Sequence, residues 1–508
     1  MANAIHHAGI DRRKFIVGTA ALAGSRIIPA FAAAKGPNIR IGILSDVHVC
    51  DPGRSADVYR KALEYFRDQE VDGVIVSGDL AIWGNVRELE LGAKIWFDVF
   101  PDDKLPDGRH VERLFCTGNH DDDGWAYPGA IARWKHRTME EAKRDSFYFH
   151  REEMWKRIYH EDWAPIFLKD VKGYKFVLRN WVSILGRESA QHRIAAGCED
   201  APSPIAPWFA AHGGELPDDR PFFYVQHDHP AGTCSSPFVD GQDRGESTAV
   251  LKGYPNCIAF SGHSHTSIID ERTIWQGEFT SVGCSSTCGF AFTFAGRENG
   301  FSCKDMDSDW KQEMPKVANQ HCRQGMVMEV YDDRVILHRR DFEYDREAAP
   351  DWVIPLGAGA VKPYRQEPRI AASRPPVFPE DAKVELRKVK DGQNRAKEKH
   401  PQIEVRFPPI GGLDGRGDRA VEFEVVAETR IDGLVRTCAM KRVYSPNVLL
   451  PAVDEKDPVT CLFAASDIPG GRDLEVRYTV VPLNEWGKRG KPISTGFMPS
   501  DDFETRER

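Results

Sequence analysis

Ile39-Arg40-Ile41-Gly42-Ile43-Leu44-Ser45-Asp46-Val47-His48 is the stretch on which the reading of this chain turns. A short apolar run stops at an acid and an imidazole, the pattern of a buried strand giving way to a functional loop. The same change recurs along the chain. Val74-Ile75-Val76 leads to Gly78-Asp79, and Phe222-Phe223-Tyr224-Val225 leads to Gln226-His227-Asp228-His229-Pro230. Gly118-Asn119-His120-Asp121 and Gly262-His263-Ser264-His265 complete a set of five blocks. Each block is expected at the carboxyl end of a strand, where open α/β sheets gather their ligand-binding loops.

Carboxylate oxygen, imidazole nitrogen and amide oxygen converging on one place suit divalent transition metals without any thiolate. Asp46 and His48 stand two apart, and His263 and His265 repeat that spacing around the small Ser264, so each pair can present ligands to one loop face. Two metals can share such a cluster if one carboxylate bridges them. The alternative is a set of strand-end turns, with Asp and Gly present for turn geometry and His merely solvated. Turn chemistry, however, does not call for four histidines and an Asn in this order.

The five blocks, in their order, resemble the calcineurin-like metallophosphoesterase superfamily, whose signature runs D-x-H, G-D, G-N-H-D/E, a His, then G-H-x-H. The resemblance covers roughly residues 37–349 and implies a four-layer α/β/β/α sandwich of two mixed sheets. It also implies one metal held by Asp46, His48 and His265, a second held by Asn119, His227 and His263, and Asp79 bridging the two. Metal-assisted hydrolysis of a phosphate monoester or diester is the activity it implies, with a metal-bridging hydroxide as nucleophile. His120 would then assist the leaving group, and Asp121 would orient the His120 imidazole. At the fourth block His227 comes first after the strand and is the preferred ligand; His229 would face the substrate or cap the loop.

Manganese, zinc and ferrous iron all suit these ligands. The purple acid phosphatase branch carries a Tyr three residues after the bridging Asp, where this chain has Ile82, so no tyrosinate-iron colour is expected. The implied partner is a small-molecule phosphoester. Net charge is −9 with acidic and basic residues interspersed, which leaves no stripe for nucleic acid and does not favour a membrane surface. Other readings are an exported binding protein with a vestigial metal site, or a metallohydrolase of another ester class such as a sulfate or phosphonate ester.

Arg12-Arg13-Lys14-Phe15, the apolar stretch Ile16 to Ala23 and the small residues around Ala30 to Ala34 resemble a twin-arginine export signal over residues 1–34, which implies a periplasmic or extracellular location. A basic amino-terminal arm is the alternative. Eleven cysteines are an odd number, and no C-x-x-C occurs. Cys438 and Cys461 could pair as a disulfide, or remain free and buried.

At 508 residues the chain is too long for one core and predicts two or three domains. Ser55 is expected to cap a helix carrying Val58, Ala62, Leu63 and Phe66, and Val86, Leu89, Ala93, Ile95, Trp96 and Phe97 mark another. The segment between His120 and His227 is rich in aromatics, among them Trp125, Tyr127, Trp134, Tyr148, Phe149, Trp155 and Trp163, which either stack on a substrate or pack an insert. Gly325 to Tyr331 and Arg334 to Arg340 read as a hairpin closing the second sheet. Residues 350–382 read as a proline-rich linker. Short alternating runs at 383–497 then predict an all-β sandwich resembling a fibronectin type III domain, followed by a polar tail at 498–508.

Overall fold

A computed structural model of the chain describes residues 36–50, 53–124, 138–182, 203–234, 242–288, 323–393, 399–412, 417–445, 458–468 and 474–499. The expectations for the export signal at 1–34, for Trp125, Tyr127 and Trp134, and for 500–508 of the tail lie outside these residues.

The strands β1 (Ile39–Leu44), β2 (Gly73–Ser77) and β3 (Glu112–Cys116) run parallel in that order. Alternation splits their side chains: Ile39, Ile41, Ile43 and Ile75 pack on one face, Val74 and Val76 on the other. Against the valine face lie α1 (Arg54–Asp68) and α2 (Val86–Val99), which bury Leu63 and Phe66, and Leu89 and Trp96, on it. Gly42 marks the closest approach, because a Cβ there would lie 2.5 Å from the Phe66 ring. The expected cap is corrected. Gly53 holds the N-cap position of α1, while Ser55 is buried and donates its hydroxyl to the carbonyl of His48 at 2.8 Å, tying the Asp46–His48 loop to the helix.

Beyond β3 the chain turns through the short α3 (Asn119–Asp123) and α4 (Arg151–Tyr159). Trp155 packs with α1 and α2 and Trp163 lies against the same core, so these insert aromatics are packing residues. A second sheet follows, made of β4 (Ile166–Val171), β5 (Tyr174–Arg179), β6 (Phe222–Val225), β7 (Cys257–Ser261), β8 (Ile274–Gln276) and β9 (Thr280–Gly283), in the order β4-β5-β6-β7-β9-β8. Phe176, Leu178, Phe223, Val225 and Phe260 meet the isoleucines of the first sheet. The outer face, with Val177, Phe222, Tyr224 and Ala259, packs on α5 (Ile205–His212) and α6 (Glu246–Leu251). The layers are therefore helix, sheet, sheet, helix.

The hairpin of β10 (Gln324–Val330) and β11 (Arg334–Asp341) forms as expected, but it joins the first sheet rather than the second. β10 runs antiparallel to β1, with Ile41 opposite Met328, because Met326, Met328 and Val330 share the inter-sheet core with the β1 isoleucines. β12 (Arg346–Glu347) and β13 (Trp352–Pro355) then pair with β11. β13 lies inside the stretch read as linker. Farther on, α7 (Gln366–Ala372) is anchored by Arg369 to Glu271 at 2.8 Å. Proline density marks turns but not whether the chain between them is held.

The C-terminal region is strand-rich: β14 (Glu385–Gln393), β15 (Lys399–Phe407), β16 (Glu422–Ile431), β17 (Leu434–Tyr444), β18 (Val459–Ala464), β19 (Glu475–Leu483), β20 (Ile493–Ser494) and β21 (Met498–Pro499). One sheet has the order β14-β15-β18, the other β17-β16-β19-β20 with β21 also on β19. Val405, Phe407, Phe423, Cys461 and Tyr478 fill the space between them. Cys438 and Cys461 are not joined to each other: Cys461 is buried in the core and Cys438 Sγ donates to the carbonyl of Ala427 at 3.2 Å. No helix among the described residues is long and apolar enough to cross a membrane.

Candidate metal centre

Asp46 and His48 follow β1, Asp79 follows β2, Asn119 and His120 open α3 after β3, His227 follows β6, and His263 and His265 follow β7. All five blocks thus emerge from strand ends of the two facing sheets, as their sequence context requires. The backbone bends sharply there. Asp46, His48, Asp79, His263 and His265 all have left-handed φ, between 47° and 64°. Non-glycine residues in that region cost roughly 1–3 kcal/mol each and persist only where the surroundings enforce them. Glycine leaves the room this needs: a Cβ on Gly118 would strike the Asp79 carboxylate, and one on Gly262 would strike that of Asp46.

The side chains converge. His265 Nε2 lies 2.9 Å from Asp46 Oδ1, and His48 Nε2 lies 3.8 Å from the same atom and 3.5 Å from Asp79 Oδ2. His227 Nε2 lies 3.2 Å from Asp79 Oδ2 and 2.9 Å from Asn119 Oδ1, with His263 Nδ1 at 3.1 Å. Asp46, His48, Asp79 and His265 form one group whose donor atoms all fall within 4.8 Å of one another, and Asp79, His227 and His263 form a second. Asp79 belongs to both. These are the residues that sequence reasoning selected, together with Asn119 beside the second group.

A cation fits this donor set. Asp46 Oδ1 is fully buried without a hydrogen bond of good geometry, and His48 Nδ1 is likewise buried and unmatched. His48 Nε2 and His265 Nε2 also stand 3.2 Å apart, both within 4 Å of Asp46 Oδ1. The electrostatics agree. Burial would pull His227 down, but the Asp79 and Asp46 carboxylates outweigh it and hold its pKa up at about 10; His265 is raised against burial by Asp46. Burial, then the neighbouring positive rings, push His48 and His263 down to about 3. Burial acts to raise Asp46 and Asp79, yet the surrounding imidazoles hold both carboxyls below their ordinary range. The site concentrates negative charge and asks for positive charge between its acids.

Residues 39–267 match the family model of the calcineurin-like phosphoesterases. This part of the chain is a calcineurin-like phosphoesterase domain. It is a phosphoester hydrolase domain with a candidate dinuclear metal site. Among solved structures, similarity extends to a dimetal phosphatase from Danio rerio, at 14% identity over 63% of this chain and 100% of that one, with a TM-score of 0.38. A purple acid phosphatase from yellow lupin (Lupinus luteus) seeds matches at 13% identity over 63% of this chain and 55% of that one, TM-score 0.35. The anchor of the inner membrane complex of Plasmodium matches at 10% identity over 64% and 90%, TM-score 0.37. No curated protein matches the chain.

Within the phosphoesterase domain two expected contacts are corrected. Asp121 does not orient His120. Its carboxylate is buried and accepts from the backbone N–H groups of Gly118 (2.8 Å), Leu80 (3.1 Å) and Ala81 (2.7 Å), stitching the start of α3 to the loop after β2. The His120 ring is oriented instead by the carbonyl of Ile82, 2.8 Å from Nδ1, and it stands edge-on to His48 with centroids 4.6 Å apart. His229 does not face the substrate. It is 1% exposed, with Ser261 Oγ 2.7 Å from Nδ1 and Ser264 Oγ 2.6 Å from Nε2.

Several neighbours carried no legible signal. Ser45 Oγ donates to Asp46 Oδ2 at 2.6 Å, and the carbonyl of Ser77 receives His227 Nδ1 at 2.8 Å. Trp181, half-buried, sits 5.9 Å from His263 and 6.1 Å from His227 between ring centroids. Cys288 brings its sulfur to 3.7 Å from His265 Nδ1. Adjacent Ser45 was within reach of a local reading; Trp181 and Cys288 arrive from other parts of the chain.

Proposed function

We propose that the chain is an exported, dinuclear metal-dependent phosphoesterase acting on a small-molecule phosphate monoester or diester. The observation that carries this reading is the pair of donor groups joined at Asp79. Asp46, His48 and His265 would hold one cation and Asn119, His227 and His263 the other, with Asp79 common to both; the short donor separations within each set support the assignment. Bound there, two cations would acidify a water for attack and offer a positive clamp to the phosphoryl oxygens.

The protein's own groups do the remainder. His227 is held by the Ser77 carbonyl on one nitrogen so that the other faces the acids. His120 donates from Nδ1 to the Ile82 carbonyl, which leaves Nε2 as the atom that would take up a second proton and pass it to the departing alkoxide, returning the ring to its neutral form. Trp181 gives the cleft an apolar wall beside the second ligand set, keeping water from that side. The amino-terminal Arg12-Arg13 stretch supports export to the periplasm or beyond. The strand order of the two C-terminal sheets supports a fibronectin type III-like sandwich.

The test is elemental analysis after loading with manganese, zinc or iron(II), paired with turnover of an aryl phosphate, the matching diester and an aryl sulfate. Two ions per chain and turnover of a phosphoester are expected. Fewer than one ion per chain, or cleavage of the sulfate alone, would overturn the reading.

A further inference from the structure

The fourth block of this chain carries a second imidazole that is not among the donors, and its surroundings give it a different task. His229 is buried between the end of β7 and the loop that follows. One ring nitrogen meets the hydroxyl of Ser261, the last residue of β7, and the other meets that of Ser264, which lies between His263 and His265. The ring therefore spans Gly262 and His263, joining the backbone before the turn to the backbone inside it.

That turn is under tension. His263 and His265 both adopt left-handed φ, at 64° and 51°. Its backbone is fixed at Gly262, which donates to the carbonyl of His227 at 2.8 Å, and at His263, which donates to Asp46 Oδ2 at 2.9 Å. Ser264 Oγ passes the constraint onward to Thr266 Oγ1 at 2.9 Å. Cys234 Sγ also lies 3.4 Å from His229 Nδ1, a further polar neighbour that holds the ring in place.

We propose that His229 is a positioning residue whose two-ended bond to Ser261 and Ser264 holds the turn that aims His263 and His265, one imidazole toward each ligand set. The inference rests on the dinuclear reading above. Partners that orient metal-binding side chains typically change metal affinity by about 10–100-fold when removed. A neutral imidazole can donate from one nitrogen and accept at the other, and two hydroxyls can each adapt to either role, so the chain of bonds is satisfied without any charge on the ring.

The test measures manganese and zinc affinity by competition with a chelator, alongside the melting temperature of the metal-free protein. His229→Ala and Ser264→Ala are each expected to weaken binding about tenfold or more. His229→Gln, whose amide nitrogen can take the place of Nε2 against Ser264, is expected to recover most of the loss. Combining Ser264→Ala with His229→Ala should add little to either alone, since both cut one linkage. Ser264→Ala removes only a hydroxyl, so it keeps the test valid if His229→Ala does not fold. Wild-type affinity in Ser264→Ala, or in a folded His229→Ala, overturns the proposal, as does a lowered melting temperature with affinity intact. Failure of the wild-type protein to bind metal would instead overturn the dinuclear reading, so the two failures are distinguishable.

Discussion

At Asp79 the carboxylate has divided duties. Oδ1 accepts from the backbone N–H of His120 at 2.9 Å, while Oδ2 faces His48 and His227 at 3.5 and 3.2 Å. One oxygen is thus pinned by the chain so that the other stays between the two ligand sets. Asp79→Asn removes the charge shared by both sets, and metal content is expected to fall from two ions per chain to below one, with turnover lost in parallel; elemental analysis of the purified variant checks it. His120 differs in kind, because it borders the donors without belonging to either group. His120→Ala should keep both ions and lose about 10²–10⁴-fold in kcat, the range for a group that moves a proton in the transition state. Loss of metal in that variant would make His120 a ligand instead.

Elements carry the site by where they end. β1 and β2 are parallel neighbours and β6 and β7 are likewise, so the donors collect at one edge of each sheet without long excursions of the chain. The hairpin β10–β11 braces β1 from the other side, and its exposed face holds an ionic cluster. His338 on β11 lies 2.9 Å from Asp351 and 3.3 Å from Glu329 on β10. Hydrogen bonds to Asp351 and then Glu329 raise the His338 pKa to about 9. A histidine raised above its ordinary value of about 6.5 stabilises fully below that pH, and the contribution fades as pH climbs to the folded value. His338→Gln should therefore lower the melting temperature at about pH 6 and have no effect above about pH 9.5. The side chain is 39% exposed, so salt should shrink the difference as well. Equal destabilisation at both pH values would sink this account.

Across the whole molecule the C-terminal sandwich is joined to the phosphoesterase domain through buried polar contacts. Arg419 donates to the carbonyl of Ile269 at 2.9 Å and lies 3.8 Å from the buried Glu485, while Arg369 of α7 sits over the Trp486 ring at 5.2 Å. Of these two Arg419 contacts only the bond to Ile269 crosses the seam, while Glu485 belongs to the sandwich; removing the guanidinium takes away that donor and leaves Glu485 buried without its counter-charge, a loss that typically costs about 3–5 kcal/mol. Arg419→Ala is expected to split a single calorimetric transition into two, the sandwich melting apart from the rest. One sharp transition in the variant would show that apolar contact alone couples the two parts.

What the sequence determined by itself was local. Ile39 to His48 and its four counterparts fixed strand ends, and with them which side chains meet, because an apolar run ending in a ligand has one place to go in an α/β sheet. The all-β pattern after the prolines was equally local, being a matter of period two. Only the tertiary structure decided what holds each ring. Ser77 reaches His227 from 150 residues away, Ser261 and Ser264 claim His229, Ile82 rather than Asp121 steadies His120, and β10 chooses β1 as its neighbour. A buried polar atom takes whichever partner packing brings within about 3 Å, and packing is a property of the closed core that no window of sequence contains.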